Sequence, residues 1–196
     1  LALTSAQKGL MVATPVLAGA LLRILMGLLV DHLKPKKAGL IGQVLVIAAL
    51  AYAWFHGIHS FEQSLILGVF LGIAGASFAA ALPLASRWYP AEHQGKAMGI
   101  AGAGNSGTAF AALFAPGLAA AYGWNNVFGL ALIPLCLTLV IYALMAKDSP
   151  ECPPAKSLAD YLRVLHDRDA WWFMFFYSVT FGGFVGLASL LTIYFN

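Results

Sequence analysis

The sequence predicts an all-α protein, a polytopic bundle of transmembrane helices, and three observations carry that prediction. Of its 196 residues, 61% are hydrophobic and 10% charged, with a mean hydropathy of +0.81, whereas a soluble domain carries roughly 25% charged residues. Its apolar residues fall into runs of membrane-crossing length. Connections that carry lysine and arginine alternate with connections that carry neither, which keeps the basic residues on one side. A soluble fold is excluded, and the net charge of +3 is too small to suggest a nucleic-acid partner. The placement of the charge is more informative than its size.

A helix needs about 20 apolar residues to cross the hydrocarbon core. Six segments meet that length, over about 9–30, 38–58, 64–86, 97–121, 126–146 and 171–195. The first five are joined by "DHLKPKK", "HGIHSFEQ", "RWYPAEHQGK" and "YGWNN". Connections this short make consecutive helices antiparallel neighbours. Residues 147–170, "KDSPECPPAKSLADYLRVLHDRDA", are different. They hold nine of the charged residues and three of the chain's nine prolines, and are expected to form an aqueous loop between two bundles. In that loop Leu158, Leu162 and Leu165 recur at helical spacing, which predicts a short amphipathic linker helix. The expected organisation is therefore residues 1–146 as a five-helix bundle, 147–170 as the loop, and 171–196 as the first helix of a second bundle.

Lys34, Lys36, Lys37, Arg87, Lys96, Lys147, Lys156, Arg163 and Arg168 fall on one side of the expected membrane, against Lys8 on the other. That asymmetry predicts a cytoplasmic location for the first group and for the 147–170 loop. The chain opens on Leu1 and closes on Asn196 within an apolar run, which reads as an internal piece of a longer protein. Cys136 falls within a span and Cys152 in the aqueous loop, so neither a disulfide nor a metal site is expected. The histidines are scattered and form no ligand pattern, and no cofactor is implied.

The stretch "VLAGALLRILMGLLVDHLKPKK" places one arginine, Arg23, inside an apolar helix. Its charge cannot be removed by deprotonation. It lies eight residues, or about 12 Å, from Asp31 at the helix end, too deep for its side chain to reach the headgroups without thinning the bilayer. An intramembrane charge costs at least about 2.5 kcal/mol and marks a functional site by default. Gly19 and Gly27 flank Arg23 by four residues on each side, leaving room for a small ligand or a close neighbouring helix. All eight acids fall in loops or at span ends. An anion from outside is the simplest counter-ion, and pairing within the protein is the alternative.

The second feature is "QGKAMGIAGAGNSGTAFAALFAPG". Positions 95, 99, 103, 107 and 111 are all Gly or Ala. Such a stripe packs membrane helices closely, and Gly99, Ala103 and Gly107 are expected within close range of another span. Asn105 lies off the stripe. Its mid-membrane amide either bonds another helix or offers its NH₂ to an anion, and Gly102 one turn earlier permits close approach. Aromatic residues supply the third feature. Tyr177 and Phe181 are four apart on the last span, and Phe78 sits among small residues in "GASFAAALP". Core packing is the ordinary role for these rings, and walling a cavity is the functional one.

Gly27 and Asp31, followed by a basic cluster, resemble the G-x-x-x-D motif between helices 2 and 3 of the major facilitator superfamily. The run "GASFAAALPLASRWYPAEHQGKAMGIAGAGNSGTAFAALFAPGLAAAYGW" resembles helices 4 and 5 of that superfamily's nitrate/nitrite porters, with "AGAGNSG" at their glycine-rich signature. The resemblance spans the whole chain as helices 2 to 7, a partial facilitator fold. It implies that Arg23 grips the substrate, that Gly102 and Asn105 contact it, and that Tyr177 hydrogen-bonds it. Phe78 and Phe181 would form the walls above and below. A second substrate arginine, helix 1 and helices 8 to 12 belong to the family and lie outside these residues.

The expected function is inner-membrane transport of nitrate or nitrite by alternating access, without covalent chemistry. The partners implied are the anion, the bilayer and the remainder of the transporter chain. The absence of acids in the spans favours nitrate/nitrite exchange over proton symport. Two other readings stay open: a porter for another small anion such as a carboxylate, and a non-transporting membrane protein in which Arg23 bonds helix-end carbonyls.

Overall fold

Two helices of this chain, the first and the third, start on polar side-chain caps. The computed structural model describes residues 4–150 and 158–194, and Cys152 lies outside them. Thr4 caps α1 (Ser5–Leu33): its Oγ1 accepts from the Gln7 amide at 3.3 Å, and Gln7 Oε1 accepts from the Thr4 amide at 2.9 Å. Ser60 and Gln63 form the same reciprocal box at α3 (Phe61–Ala76), which satisfies two otherwise unpaired amides. Pro35 opens α2 (Pro35–His56) at a position that needs no amide donor. Gly57 and Gly123, both at positive φ, end α2 and the helix that closes at Tyr122.

Lys34, the single residue between α1 and α2, has φ 69° and ψ 156°, a region other than glycine rarely enters. Such a residue stores on the order of 1–3 kcal/mol of strain. Lys34→Gly relieves it at a smaller entropic cost of about 0.5–1 kcal/mol. A higher thermal midpoint of the purified protein is the expected result, and a lower one would refute the strain.

Among the described residues, five helical runs are long and apolar enough to cross a membrane: Ser5–Leu33, Pro35–His56, Phe61–Ser86, Trp124–Met145 and Arg168–Ala188. The third is bent, because α3 ends at Ala76 and α4 (Phe78–Ser86) begins after Ser77. Ser77 Oγ donates to Ala74 O at 2.6 Å, and its amide is shared between Ile73 O and Ala74 O. That tightening marks the joint. The segment expected to cross at 97–121 is a helical path in three parts, not one unbroken helix. These are α5 (Ala91–Gly102), a 3₁₀ turn (Ala103–Ser106) and α6 (Gly107–Tyr122). Glycine, asparagine and serine are poor helix formers, and "AGNS" is where the winding tightens. No strand occurs among the described residues.

The chain forms two compact units, Leu1–Pro154 and Ala155–Asn196. In the first, α1 packs most extensively on α3, α2 on α7 (Trp124–Met145), α5 on α4, and α6 on α7. The core joins α1, α2 and the α3–α4 pair through Met26, Val30, Ala38, Ala76 and Ala80. The α2–α7 seam is notched on both sides. The Trp54 ring lies over Gly129, and the Tyr142 hydroxyl lies over Gly39. Gln43 bridges that seam, its Nε2 donating to Leu135 O at 3.1 Å and Thr138 Oγ1 at 2.9 Å. Hydrogen bonds between membrane helices average about 0.6 kcal/mol with a maximum near 1.7 kcal/mol. Gln43→Leu is therefore expected to lower stability within that range, read as a modest fall in thermal midpoint. An unchanged or higher midpoint would show the bridge is dispensable.

The second unit comprises α8 (Leu158–Arg163), a 3₁₀ turn (Val164–His166) and α9 (Arg168–Tyr194). The sequence "LADYLRVLH" thus becomes one and a half turns of α-helix run into a tighter turn. Asp167 Oδ1 accepts from the Asp169 amide at 3.0 Å at the start of α9. Trp171 Nε1 donates to Leu165 O at 2.8 Å, tying α9 back to that turn.

Candidate functional site

Arg23 is half-buried on α1, and its Nη2 donates to the Gly75 carbonyl of α3 at 3.2 Å. Two glycines make that contact possible. A Cβ on Gly19 would meet Gly72 O at 3.0 Å, and one on Gly72 would lie 2.8 Å from Gly19 N. The helices therefore touch backbone to backbone one turn from Arg23. Gly75 also lies two residues before the Ser77 joint, and half-buried Phe78 lies just past it. The guanidinium is thus fixed at a bend in the third span. The two glycines flanking Arg23 have different roles. Gly19 receives a neighbouring helix, whereas nothing lies within 4 Å of a Cβ placed on Gly27.

Asn105 is in the Ala103–Ser106 turn and half-buried. Its backbone carbonyl accepts from Thr108 Oγ1 at 2.7 Å, but its side-chain amide makes no hydrogen bond among the described residues. Of the two roles open to that amide, the helix-to-helix bond is not made. Gly102 is half-buried with open space around it. A tight 3₁₀ turn inside a helix often marks a functional hinge, and here it carries the asparagine.

The stripe of small residues is open. Nothing lies within 4 Å of a Cβ on Gly99 or Gly107, so the close contact expected there is not made by this chain's described residues. It is made instead by Gly68, Gly72 and Ala76 on α3 against α1. The reason is placement: α5 and α6 pack chiefly on α4 and α7, and the stripe faces neither.

In the second unit, the rings of Tyr177 and Phe181 stack at 5.2 Å with an interplanar angle of 10°. Phe184 continues the series at 6.4 Å from Phe181. The four-residue spacing therefore gives one aromatic face on α9, with a hydroxyl at its edge.

Asp31 is joined to Arg87, at 3.5 Å and with both side chains largely buried. Around this pair the three basic connections meet. The Lys36 amide donates to Asp148 Oδ1 at 2.8 Å, so Asp148 caps α2. Ser149 Oγ donates to Arg87 O at 3.0 Å, and Trp88 Nε1 donates to Lys147 O at 3.1 Å. The chain leaving α7 is thus clasped to the starts and ends of α1, α2 and α4. Sequence reasoning treated Arg87 and Asp148 only as loop charges and did not single out Gln43. The one available signal for Arg87 was its place at the end of a span facing the Asp31 connection. For Gln43 it was a lone amide in "LIGQVLVIAAL".

Comparison with known proteins adds a family. A model of the major facilitator superfamily matches residues 1–196. The chain is 33% identical over 199 residues to a probable nitrate/nitrite transporter of Mycobacterium tuberculosis, covering 99% of this chain and 50% of that protein. It is 32% identical over 190 residues to a nitrite extrusion protein of Bacillus subtilis, covering 96% and 47%. It is 26% identical over 206 residues to a probable nitrate/nitrite antiporter of Thermus thermophilus, covering 98% and 46%. The chain spans about half the length of the curated relatives it matches. No solved structure matches it.

Proposed function

The chain belongs to the major facilitator superfamily, and on that premise we propose that it carries the N-terminal substrate site of a nitrate/nitrite porter. It is an integral membrane protein of the bacterial inner membrane. The proposed orientation puts the clasped basic end, with Asp31, Arg87 and Lys147, at the cytoplasm. Relatives named for nitrate or nitrite transport support the substrate. The observation that carries the site is Arg23 Nη2 on the Gly75 carbonyl. The Gly75 carbonyl is a neutral acceptor that helps to orient the guanidinium. A planar fork so held suits two oxygens of a planar anion.

In this reading Asn105 and Gly102 approach the anion from the α5–α6 turn, and Phe78 excludes water. Transport proceeds by rocking of two helix bundles about a midplane site. Because the acids of this chain fall in loops or at span ends and none lies mid-span to carry a proton, nitrate/nitrite exchange is the proposed coupling, and no covalent step is involved. The experiment is labelled nitrate uptake by the full-length protein in liposomes, with and without internal nitrite and a pH gradient. Uptake that requires internal nitrite supports exchange. Uptake driven by the pH gradient alone refutes exchange, and no uptake in either case refutes the substrate.

The same bond favours a second reading, in which Arg23 serves only to tie α1 to α3. The two readings differ in what lysine can replace, because lysine can also donate to a carbonyl.

A further inference from the structure

At the basic end of the first unit lies a groove of about 740 Å³ to which none of the proposed substrate residues contributes. Its floor is apolar, formed by Ile100 and Ala101 of α5 and Met145 of α7, and its rim carries Trp88, Tyr89 and Lys147. Trp88 Nε1 donates to Lys147 O at 3.1 Å, which fixes the indole and holds the lysine backbone beside it. The Tyr89 hydroxyl and the Lys147 ammonium make no hydrogen bond or ion pair among the described residues. Of the carboxylates at this end, Asp31 and Asp148 are turned to Arg87 and to the Lys36 amide, and Glu92, in the first turn of α5, is not part of the groove's lining. None of the three is paired with the lysine.

Tryptophan and tyrosine settle at headgroup level, with apolar residues below and lysine above. One phospholipid presents its acyl chain, glycerol and phosphate in the same order. Because the rim offers a cation and no carboxylate, it suits a headgroup of net negative charge over a zwitterion. We propose that this groove binds an anionic phospholipid of the cytoplasmic leaflet, its phosphate on Lys147 and Tyr89 and an acyl chain along Ile100, Ala101 and Met145. The proposal rests on the orientation given above and not on the transported substrate.

The test uses full-length protein in detergent, titrated with phosphatidylglycerol or with phosphatidylcholine of identical chains. Retained lipid is counted by native mass spectrometry. Phosphatidylglycerol is expected to be retained preferentially. Lys147→Gln should weaken its binding about fivefold, equivalent to the roughly 1 kcal/mol of one lysine at an anionic surface, and should leave phosphatidylcholine unchanged. Lys147→Arg should restore binding. Ile100→Trp, which fills the floor and keeps the charge, should lose it. Equal phosphatidylglycerol retention by the parent, Lys147→Gln and Ile100→Trp overturns the proposal, as does a parent with no preference between the two lipids. Binding of glycerol phosphate without acyl chains overturns it too, since the site would then take a soluble anion. Nitrate is not part of the readout, so a protein that retains lipid and carries no nitrate refutes the functional reading alone.

Discussion

Gly72→Leu is expected to abolish recovery of folded protein, and Gly72→Ala to lower the thermal midpoint sharply. A Cβ at Gly72 would lie 2.7 Å from Ala18 Cβ, 2.8 Å from Gly19 N and 3.0 Å from Ala18 C. Two of those atoms are backbone and cannot rotate away, so α1 and α3 must separate. Inserting methylenes into a packed core typically costs about 1–3 kcal/mol, and here the strain falls on the most extensive helix contact in the first unit. Separation also draws the Gly75 carbonyl away from Arg23, so Gly72→Ala protein that still folds should lose transport as well. Gly99→Ala is the control. It meets nothing within 4 Å, and replacing a helical glycine with alanine contributes about 1 kcal/mol of helix propensity. Gly72→Leu protein recovered with the parent's yield and midpoint would show that α1 and α3 do not meet backbone to backbone at Gly72.

That pair of variants also marks where the sequence stops being readable. Two stripes of small residues at four-residue spacing are present, one at 68, 72 and 76 and one from 95 to 111. They look alike because the requirement for close approach is the same, and only the fold says which has a neighbour. The close contact expected of the second stripe rested on its small residues, which permit close approach but do not supply a facing helix. Five of the six expected spans were legible because hydropathy over about 20 residues is a bulk property, whereas the break within 97–121 is a local one. The joint at Ser77 was not, since "GASFAAAL" carries no proline at the break and the tightening depends on one hydroxyl finding Ala74 O. Charge counting likewise gave Arg87 a sign and a side. It could not give Arg87 its partner Asp31, which comes from another helix 56 positions away. Arg23 was legible for the opposite reason: one charge in an apolar helix demands an account from any fold.

Arg23→Lys in the full-length protein is expected to lose most nitrate transport although the charge is kept. If Arg23 only ties α1 to α3, lysine suffices, because an ammonium can donate to the Gly75 carbonyl as Nη2 does at 3.2 Å. If Arg23 holds a planar anion, lysine fails. The guanidinium offers parallel donors in a rigid plane, so one edge can rest on Gly75 while others face the substrate. An ammonium on a flexible stem presents a point charge with no such plane. Losing one charge-assisted hydrogen bond of roughly 1.5–3 kcal/mol corresponds to about a 10- to 150-fold loss in binding. The thermal midpoint of Arg23→Lys separates the two roles, since it should stay near the parent's while uptake falls. Asn105→Ala provides the independent arm. Its amide bonds nothing among the described residues, so its removal should leave the midpoint unchanged and weaken nitrate binding by a neutral bond's worth, about 0.5–1.5 kcal/mol. Nitrate affinity within about twofold of the parent in Arg23→Lys, at equal expression, would remove Arg23 from the substrate site and leave it as the clamp between α1 and α3.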